Sequence, residues 1–385
     1  MSEAADHGAL PKRTRDLLVR MDDATAAVDK RLFRLGKQGL QRLTWASVVD
    51  LRALAKTAHN GGMIRVEREL EALATWVARY IDRDPLFTLE AYMACINRVF
   101  LLNTHIRQRR ATGELPPSMV DVLGQARRTY TPRAEPLHLQ SVGASGWVTD
   151  TGYVGVTVFL WSLGDGLLMQ ATNAKPTLYF GDDPRALLNQ SISEGVDVSV
   201  GDLAHGAFIV EQARTCGERL SLHKDLVVKP GPWRAPEAYQ ALGCADWGAL
   251  IARLRDAKLR PLDPRPIAPV YIEPVGWGPL VNDAKRQEVR IALRDARGGV
   301  LDLSVPMRPE YNRLIDNLEV LDARGPSAPG WYPTGLLGRP RVLGGRLRFM
   351  PLTAVYPRGM VLSKHQSAPR YAVHLSLDDM AEARL

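Results

Sequence analysis

Six arginines at strand-like spacing in the last third of the chain are the residues whose types and positions point most directly to a chemistry. In Glu288–Arg294 the side chains of Val289, Ile291 and Leu293 take one face of an alternating segment, so Arg290 and Arg294 share the other. Arg346 and Arg348 repeat the device against Leu347 and Phe349, which point inward. Arg339 and Arg341 lie just upstream, in what reads as the connection between two strands. Guanidinium groups arrayed this way neutralise phosphates, the chemistry of a nucleic-acid backbone contact. The competing reading is the solvated outer face of an ordinary amphipathic strand. Forty of the fifty basic residues are arginine, as in chains from GC-rich bacterial genomes, so composition alone accounts for part of the pattern.

Catalytic and metal-binding patterns are near misses. Gly143-Ala-Ser-Gly146 lacks the glycine two places after the serine that a nucleophile elbow needs, and reads as a turn. Gly335-Leu-Leu-Gly-Arg-Pro340 and Gly344-Gly-Arg346 supply glycines without the lysine of a phosphate cradle. His205, Cys216 and His223 are zinc-type ligands without paired spacing. Asp182-Asp183, directly before Pro184, is a helix cap, with a Mg²⁺ site as the alternative. His374 with Asp378 and Asp379 reads as surface. The expectation is a non-enzymatic chain with no metal and no cofactor; a hydrolase built from scattered residues is the remote alternative.

The chain has 385 residues, 45% hydrophobic and 24% charged, enough for two or three compact domains. Its formal net charge of +8 is uneven: 22 bases face 16 acids in residues 1–140, 7 face 10 in 141–234, and 21 face 16 in 235–385. Positive potential therefore belongs to the two ends, including Arg107-Gln-Arg109-Arg110 and Arg127-Arg128. Three widely spaced cysteines, Cys95, Cys216 and Cys244, argue against a disulfide framework. With no leader-like N-terminus and no apolar run of about 20 residues, the expected location is the cytoplasm, with no membrane partner.

The elements that position these residues fall into blocks. Apolar residues at three- and four-residue steps predict helices over Thr14–Leu35, Trp45–Ala58 and Met63–Ile81, and another carrying Tyr92, Val99 and Ile106. Strand patterns then cover Tyr153–Trp161, Leu167–Ala171, Ala207–Ala213 and Arg219–Val228, with a helix from Asp183 to Ile192. A second block repeats the order of three strands, a helix and two strands, with Trp147 of the first block matched by Trp277: Val270–Val275, Glu288–Arg294, Val300–Val305, a helix over Pro309–Leu318, then Trp331–Leu337 and Arg346–Val355. Strands with a helix between the third and fourth indicate OB-like barrels, with SH3-like and other small barrels as alternatives. The expected class is α+β: an antiparallel helical bundle (1–116), a linker with a short helix (117–140), a first OB-like barrel (141–233), a helical, Pro-rich linker (234–269), a second OB-like barrel (270–358), and a C-terminal strand and tail (359–385). The alternating segment Arg370–Leu377 completes a sheet of this chain or adds to the edge of a partner's.

The stretch Tyr153-Val-Gly-Val-Thr-Val-Phe-Leu-Trp161, with Asn173-Ala-Lys-Pro176, Gly217-Glu-Arg-Leu-Ser221 and Pro274-Val-Gly-Trp-Gly-Pro279, resembles a pattern in uncharacterised bacterial proteins encoded near SWIM zinc-finger proteins and MoxR-type ATPases. The resemblance covers residues 147–355, brings no catalytic residues, and implies a neighbour of the zinc binder, since the Cys-x-Cys and Cys-x-His of a SWIM finger are absent. The expected function is a nucleic-acid-binding or scaffold subunit of a bacterial multiprotein complex. It would hold single-stranded nucleic acid through Arg107, Arg109 and Arg110 of the bundle and Arg290, Arg294, Arg339, Arg341, Arg346 and Arg348 of the second barrel. Phe159 and Trp161 of the acidic first barrel would contact protein, with packing against a neighbouring domain as their structural alternative. The runner-up is an adaptor for a MoxR-type (AAA+) ATPase machine with no nucleic-acid contact.

Overall fold

The computed structural model describes residues 10–125, 128–149, 151–232, 235–244, 246–258, 268–325, 331–343, 346–356 and 372–380. Arg127, and Arg370 and Tyr371 of the expected C-terminal strand, lie outside them. The chain divides into two compact units, one before and one after Arg128 in all but a short segment.

The first unit is helical. Its elements are α1 (Lys12–Gln38), α2 (Trp45–Asn60), α3 (Ile64–Ile81) and α4 (Leu89–Ala111). Thr44 and Ser47 form a capping box before α2, and the Thr88 hydroxyl accepts the Ala91 amide before α4. Met21 and Val28, Leu51, Leu70 and Leu73, and Val99 and Ile106 bring all four apolar stripes into one core. The short helix expected in the 117–140 linker is a 3-10 turn (Pro116–Met119) that runs into α5 (Val120–Leu123) and stops at Gly124. That glycine has φ +80°, and a Cβ there would meet the Arg65 side chain at 2.7 Å.

The second unit carries two curled mixed sheets with helices, an α+β arrangement. The first is built from β1 (Thr131–Pro132), β2 (Leu137–Thr149), β3 (Tyr153–Ser162) and β4 (Leu167–Pro176), then α6 (Thr177–Phe180) and α7 (Val200–His205). It ends with β5 (Ala207–Glu211), β6 (Arg214–Cys216), β7 (Arg219–Leu220) and β8 (Val227–Pro230). β2 pairs with β3 and β5, β3 pairs with β4, β4 runs parallel to β7, and β8 pairs with β5. Along the sheet the order is β1-β6-β7-β4-β3-β2-β5-β8, consistent with an OB-like fold. Gly143-Ala-Ser-Gly146, expected to be a turn, is instead the middle of β2. Glycine is needed there because other elements cross the strand: a Cβ on Gly143 would lie 2.6 Å from Leu337 Cδ2, and one on Gly146 2.7 Å from Pro184 Cβ.

Between the sheets come α8 (Ala235–Leu242), β9 (Gly243–Cys244) and α9 (Trp247–Lys258). Trp247, Leu250 and Leu254 enter the core of the second sheet, so this part of the expected linker is folded into the unit. The second sheet contains β10 (Val270–Ile272), β11 (Gly276–Asp283), β12 (Glu288–Arg294), β13 (Val300–Pro306), α10 (Asn312–Arg324), β14 (Gly335–Leu343), β15 (Arg346–Val355) and β16 (Ala372–His374). Its order is β11-β12-β13-β15-β14-β10-β9, with β13 parallel to β15 and β9 parallel to β10. β14 starts four residues later than the expected Trp331 and includes Arg339 and Arg341, which are strand residues rather than loop residues. β16 pairs with β15 at Thr353 and His374, so the C-terminal segment extends a sheet of its own chain. Phe159, Val142 and Leu168 of the first sheet meet Tyr271, Leu337, Leu352 and Val355 of the second in a shared apolar seam. Among the described residues no helix is long and apolar enough to cross a membrane.

Candidate nucleic-acid interface

Strand register gathers all six arginines of the second sheet on one face. Val289, Ile291, Leu293, Leu301, Leu303, Val305 and Phe349 fill the core on the other side. Arg294 pairs with Val300, and the parallel register Asp302–Arg348, followed two residues back, sets Val300 beside Arg346. The next row is Ala292, Asp302, Arg348 and Arg341; the one after it contains Arg290, Ser304, Met350 and Arg339. Adjacent strands stand about 4.8 Å apart, so the rows place guanidinium groups within reach of successive phosphates along a chain crossing the strands.

These arginines differ in what already neutralises them. Arg348 is buried and its guanidinium is bound to Glu288, with Ser304 Oγ at 3.2 Å. It emerges on the expected face but lies flat across the sheet, so it is not exposed as expected. Arg290 stands 3.0 Å from Asp283, 3.8 Å from Glu288 and 3.8 Å from Asp302. Arg294 and Arg346 are exposed, and no ion pair is recorded for them among the described residues. Arg339 lies with its Cζ 5.5 Å from the Phe159 ring centre, and Arg341 touches the Met350 sulfur. Burial, then the charge of Arg341, holds the Arg339 guanidinium below its ordinary pKa; burial does the same to Arg341, with Arg308 adding to it. Six arginines thus share the face with three carboxylates: Asp283, Glu288 and Asp302. Lys285 and Arg286, exposed in the turn between β11 and β12, add two more bases beside it. The sequence reading missed them, although their adjacency in Asp283-Ala-Lys-Arg-Gln287 was a visible signal.

The arginines of the helical unit are occupied within it. Arg107 pairs with Asp29 of α1. Arg109 bonds Glu114 at 2.5 Å, Asp121 at 2.7 Å and the Ser118 carbonyl at 2.8 Å. Arg110 reaches Asp22 at 3.2 Å. Glu114 is held below the usual carboxylate range by Arg109. These side chains fasten α4 to α1 and to the segment that follows α4, and are not presented as a row. Phe159 is fully buried and Trp161 half-buried in the seam between the sheets, so both pack against this chain's own neighbouring sheet instead of presenting a contact face to another protein. A clue was present: no charged residue occurs in Tyr153–Trp161, which fits a strand covered on both faces.

The possible metal ligands are rearranged. His205 joins His374 and Asp378, with one donor atom from each within 4.8 Å of the others, whereas Cys216 and His223 do not take part. His374, expected at the surface, is buried because β16 and the turn after it pack Leu375, Leu377 and Met380 inward. Its Nε2 donates to the Ala204 carbonyl at 2.7 Å, which leaves Nδ1 to accept from Thr353 at 3.2 Å. His205 donates from Nδ1 to the Gly201 carbonyl and places Nε2 3.1 Å from Asp378. With both His374 nitrogens engaged, the group is a hydrogen-bonded clasp between α7 and the C-terminal turn. Asp183 accepts the Arg185 amide at 3.0 Å and caps a turn over Pro184–Leu187, shorter than the helix expected there. The three cysteines are free thiols; only Cys95 is fully buried, and burial pushes it up to about 12.

No protein-family model and no curated protein matches the chain. Solved structures to which it is similar include the Ifi202 HINa domain in complex with 20-bp dsDNA, at 7% identity and a TM-score of 0.28 over 58% of this chain and 94% of that one. The p202 HIN1 complex with 12-mer dsDNA is similar at 6% identity and 0.28, over 59% and 93%. A replication protein A heterotrimer bound to ssDNA is similar at 10% identity and 0.27, over 61% and 51%. At such values the functional reading is left to the residues themselves.

Proposed function

We propose that this chain is a non-enzymatic subunit that binds single-stranded nucleic acid on the outer face of its second sheet, with each sheet acting as an OB-like barrel and the four helices as an antiparallel bundle. The observation that carries the reading is the alignment of six arginines on one face, in successive rows, against three carboxylates. Such an excess supports phosphate contacts, which position a strand without reading its sequence. Among the described residues the large exposed aromatic rings lie elsewhere, at Phe33, Trp45, Phe100, Tyr153 and Tyr179, so the grip is on the backbone more than on the bases. The test is equilibrium binding of a fluorescent oligonucleotide across a salt series. Affinity that falls steeply with salt, and weakens in the Arg294→Ala/Arg346→Ala double variant, supports the proposal; absence of salt-sensitive binding at low ionic strength sinks it.

The adaptor reading has its own support in the helical unit, where Phe33, Trp45 and Val49 are each at least half exposed, as are Leu89 and Phe100. Co-purification of an ATPase at constant stoichiometry, with no nucleic acid bound, would favour it.

A further inference from the structure

Arg339 and Arg341 stand apart from the other arginines of the face. Both project from β14 on the same side, two residues apart. Arg290 and Arg348 answer to Asp283, Glu288 and Asp302, but no carboxylate is recorded opposite Arg339 or Arg341 among the described residues. Arg339 rests on the buried Phe159 ring, and its Nε is buried with no hydrogen-bond partner in that set. Arg341 touches the Met350 sulfur and the Tyr311 side chain, and Arg308 is near enough to add a further like charge. Arg341 is exposed, so the pair is reachable from outside. Two neighbouring cations, Arg339 half-buried and Arg341 exposed beside it, without an acid between them, are costly to hold together, and the Arg339 guanidinium is pushed below its ordinary pKa by its burial and then by the charge of Arg341. Uncompensated charge of this kind marks a place completed by a ligand of opposite sign.

We propose that Arg339 and Arg341, with the Tyr311 hydroxyl beside them, form a seat for a single phosphate group. Guanidinium forks match the tetrahedral oxygens of phosphate, and a neutral hydroxyl donor adds a bond without adding charge. The seat deepens the nucleic-acid reading, and rests on it only for the source of the phosphate. A phosphodiester of a bound strand would occupy the seat while Arg294 and Arg346 hold its neighbours; free inorganic phosphate presents the same chemistry.

The experiment is thermal unfolding of the full chain in inorganic phosphate against chloride and glutamate at matched ionic strength, together with oligonucleotide binding, for the wild type, Arg341→Met and Arg339→Met. The expected result is a rise in Tm on the order of 2–4 °C in phosphate alone, absent in both variants. In phosphate-free buffer Arg341→Met unfolds at a Tm no lower than the wild type's, because it removes an unmatched cation. Should Arg339→Met fail to fold through loss of packing on Phe159, Arg341→Met carries the test. Equal stabilisation by glutamate, or a phosphate increment that survives in Arg341→Met, overturns the seat. A phosphate effect without oligonucleotide binding leaves the seat standing and removes the nucleic-acid reading. Salt-sensitive oligonucleotide binding that depends on Arg294 and Arg346, without a phosphate increment, does the reverse.

Discussion

Arg348 reaches across Ser304 to Glu288, and the two charged side chains are only 6% and 8% exposed. Ser304 Oγ donates to Glu288 Oε2 at 3.0 Å and accepts from the guanidinium at 3.2 Å, so β12, β13 and β15 are tied on their outer face. Removing one partner leaves the other charged and desolvated. Glu288→Gln is expected to cost roughly 3–5 kcal/mol in urea denaturation, whereas the paired change Glu288→Leu/Arg348→Met recovers most of it. Equal loss in the single and paired variants would show that the ion pair is not what ties the strands.

The proposed binding and the fold are separable among the arginines. Arg294→Ala/Arg346→Ala is expected to lower the slope of log Kobs against log salt by about 1 to 2 while leaving the unfolding midpoint within about 0.5 kcal/mol of the wild type. Arg109→Ala is expected to do the opposite, because its guanidinium serves Glu114, Asp121 and the Ser118 carbonyl. A salt titration of both variants, beside their denaturation curves, checks the contrast.

The seam is the third place to press. Phe159→Ala would open a cavity between the sheets and is expected to destabilise by about 3–5 kcal/mol. Gly143→Val would drive side-chain atoms into Leu337 and Thr353 from the opposing sheet, at a cost of about 1–3 kcal/mol. Calorimetry on the two variants reads both effects.

Acid sensitivity follows from Asp295. Its carboxylate accepts the amides of Trp247, Gly299 and Arg297 at 3.0, 2.7 and 3.0 Å, and these bonds hold its pKa below the usual carboxylate range. A carboxylate with a folded pKa below its unfolded one adds stability that is complete above the unfolded value, near 4, and is lost as pH falls through the folded value. Asp295→Asn is therefore expected to flatten the acid limb of a stability–pH curve while lowering the plateau above it. A curve parallel to the wild type's down to pH 2 would exclude this role.

The sequence revealed the helices and the arginine alternation because both are local. Leu51 and Val99 declare their stripes by spacing, and Arg290 with Arg294 declare their face by alternation against Ile291. What decided the rest was long-range. Glu288 and Arg348 are sixty residues apart, and nothing near either foretells that they meet. Gly143 and Gly146 read as a turn because their reason for being glycine is the approach of Leu337 and Pro184. His374 read as surface because the buried environment around it comes from Ala204 and Thr353.

The seam also bears on how the molecule loses its structure. Because Phe159 carries Arg339 above it and fills the core shared with Leu337 and Leu352, neither sheet can open without exposing the other's apolar surface. The two sheets then form one foldon: amides of β3 and β15 would exchange with solvent at a common free energy, and a fragment cut to hold the second sheet alone would lack the floor on which its arginines rest.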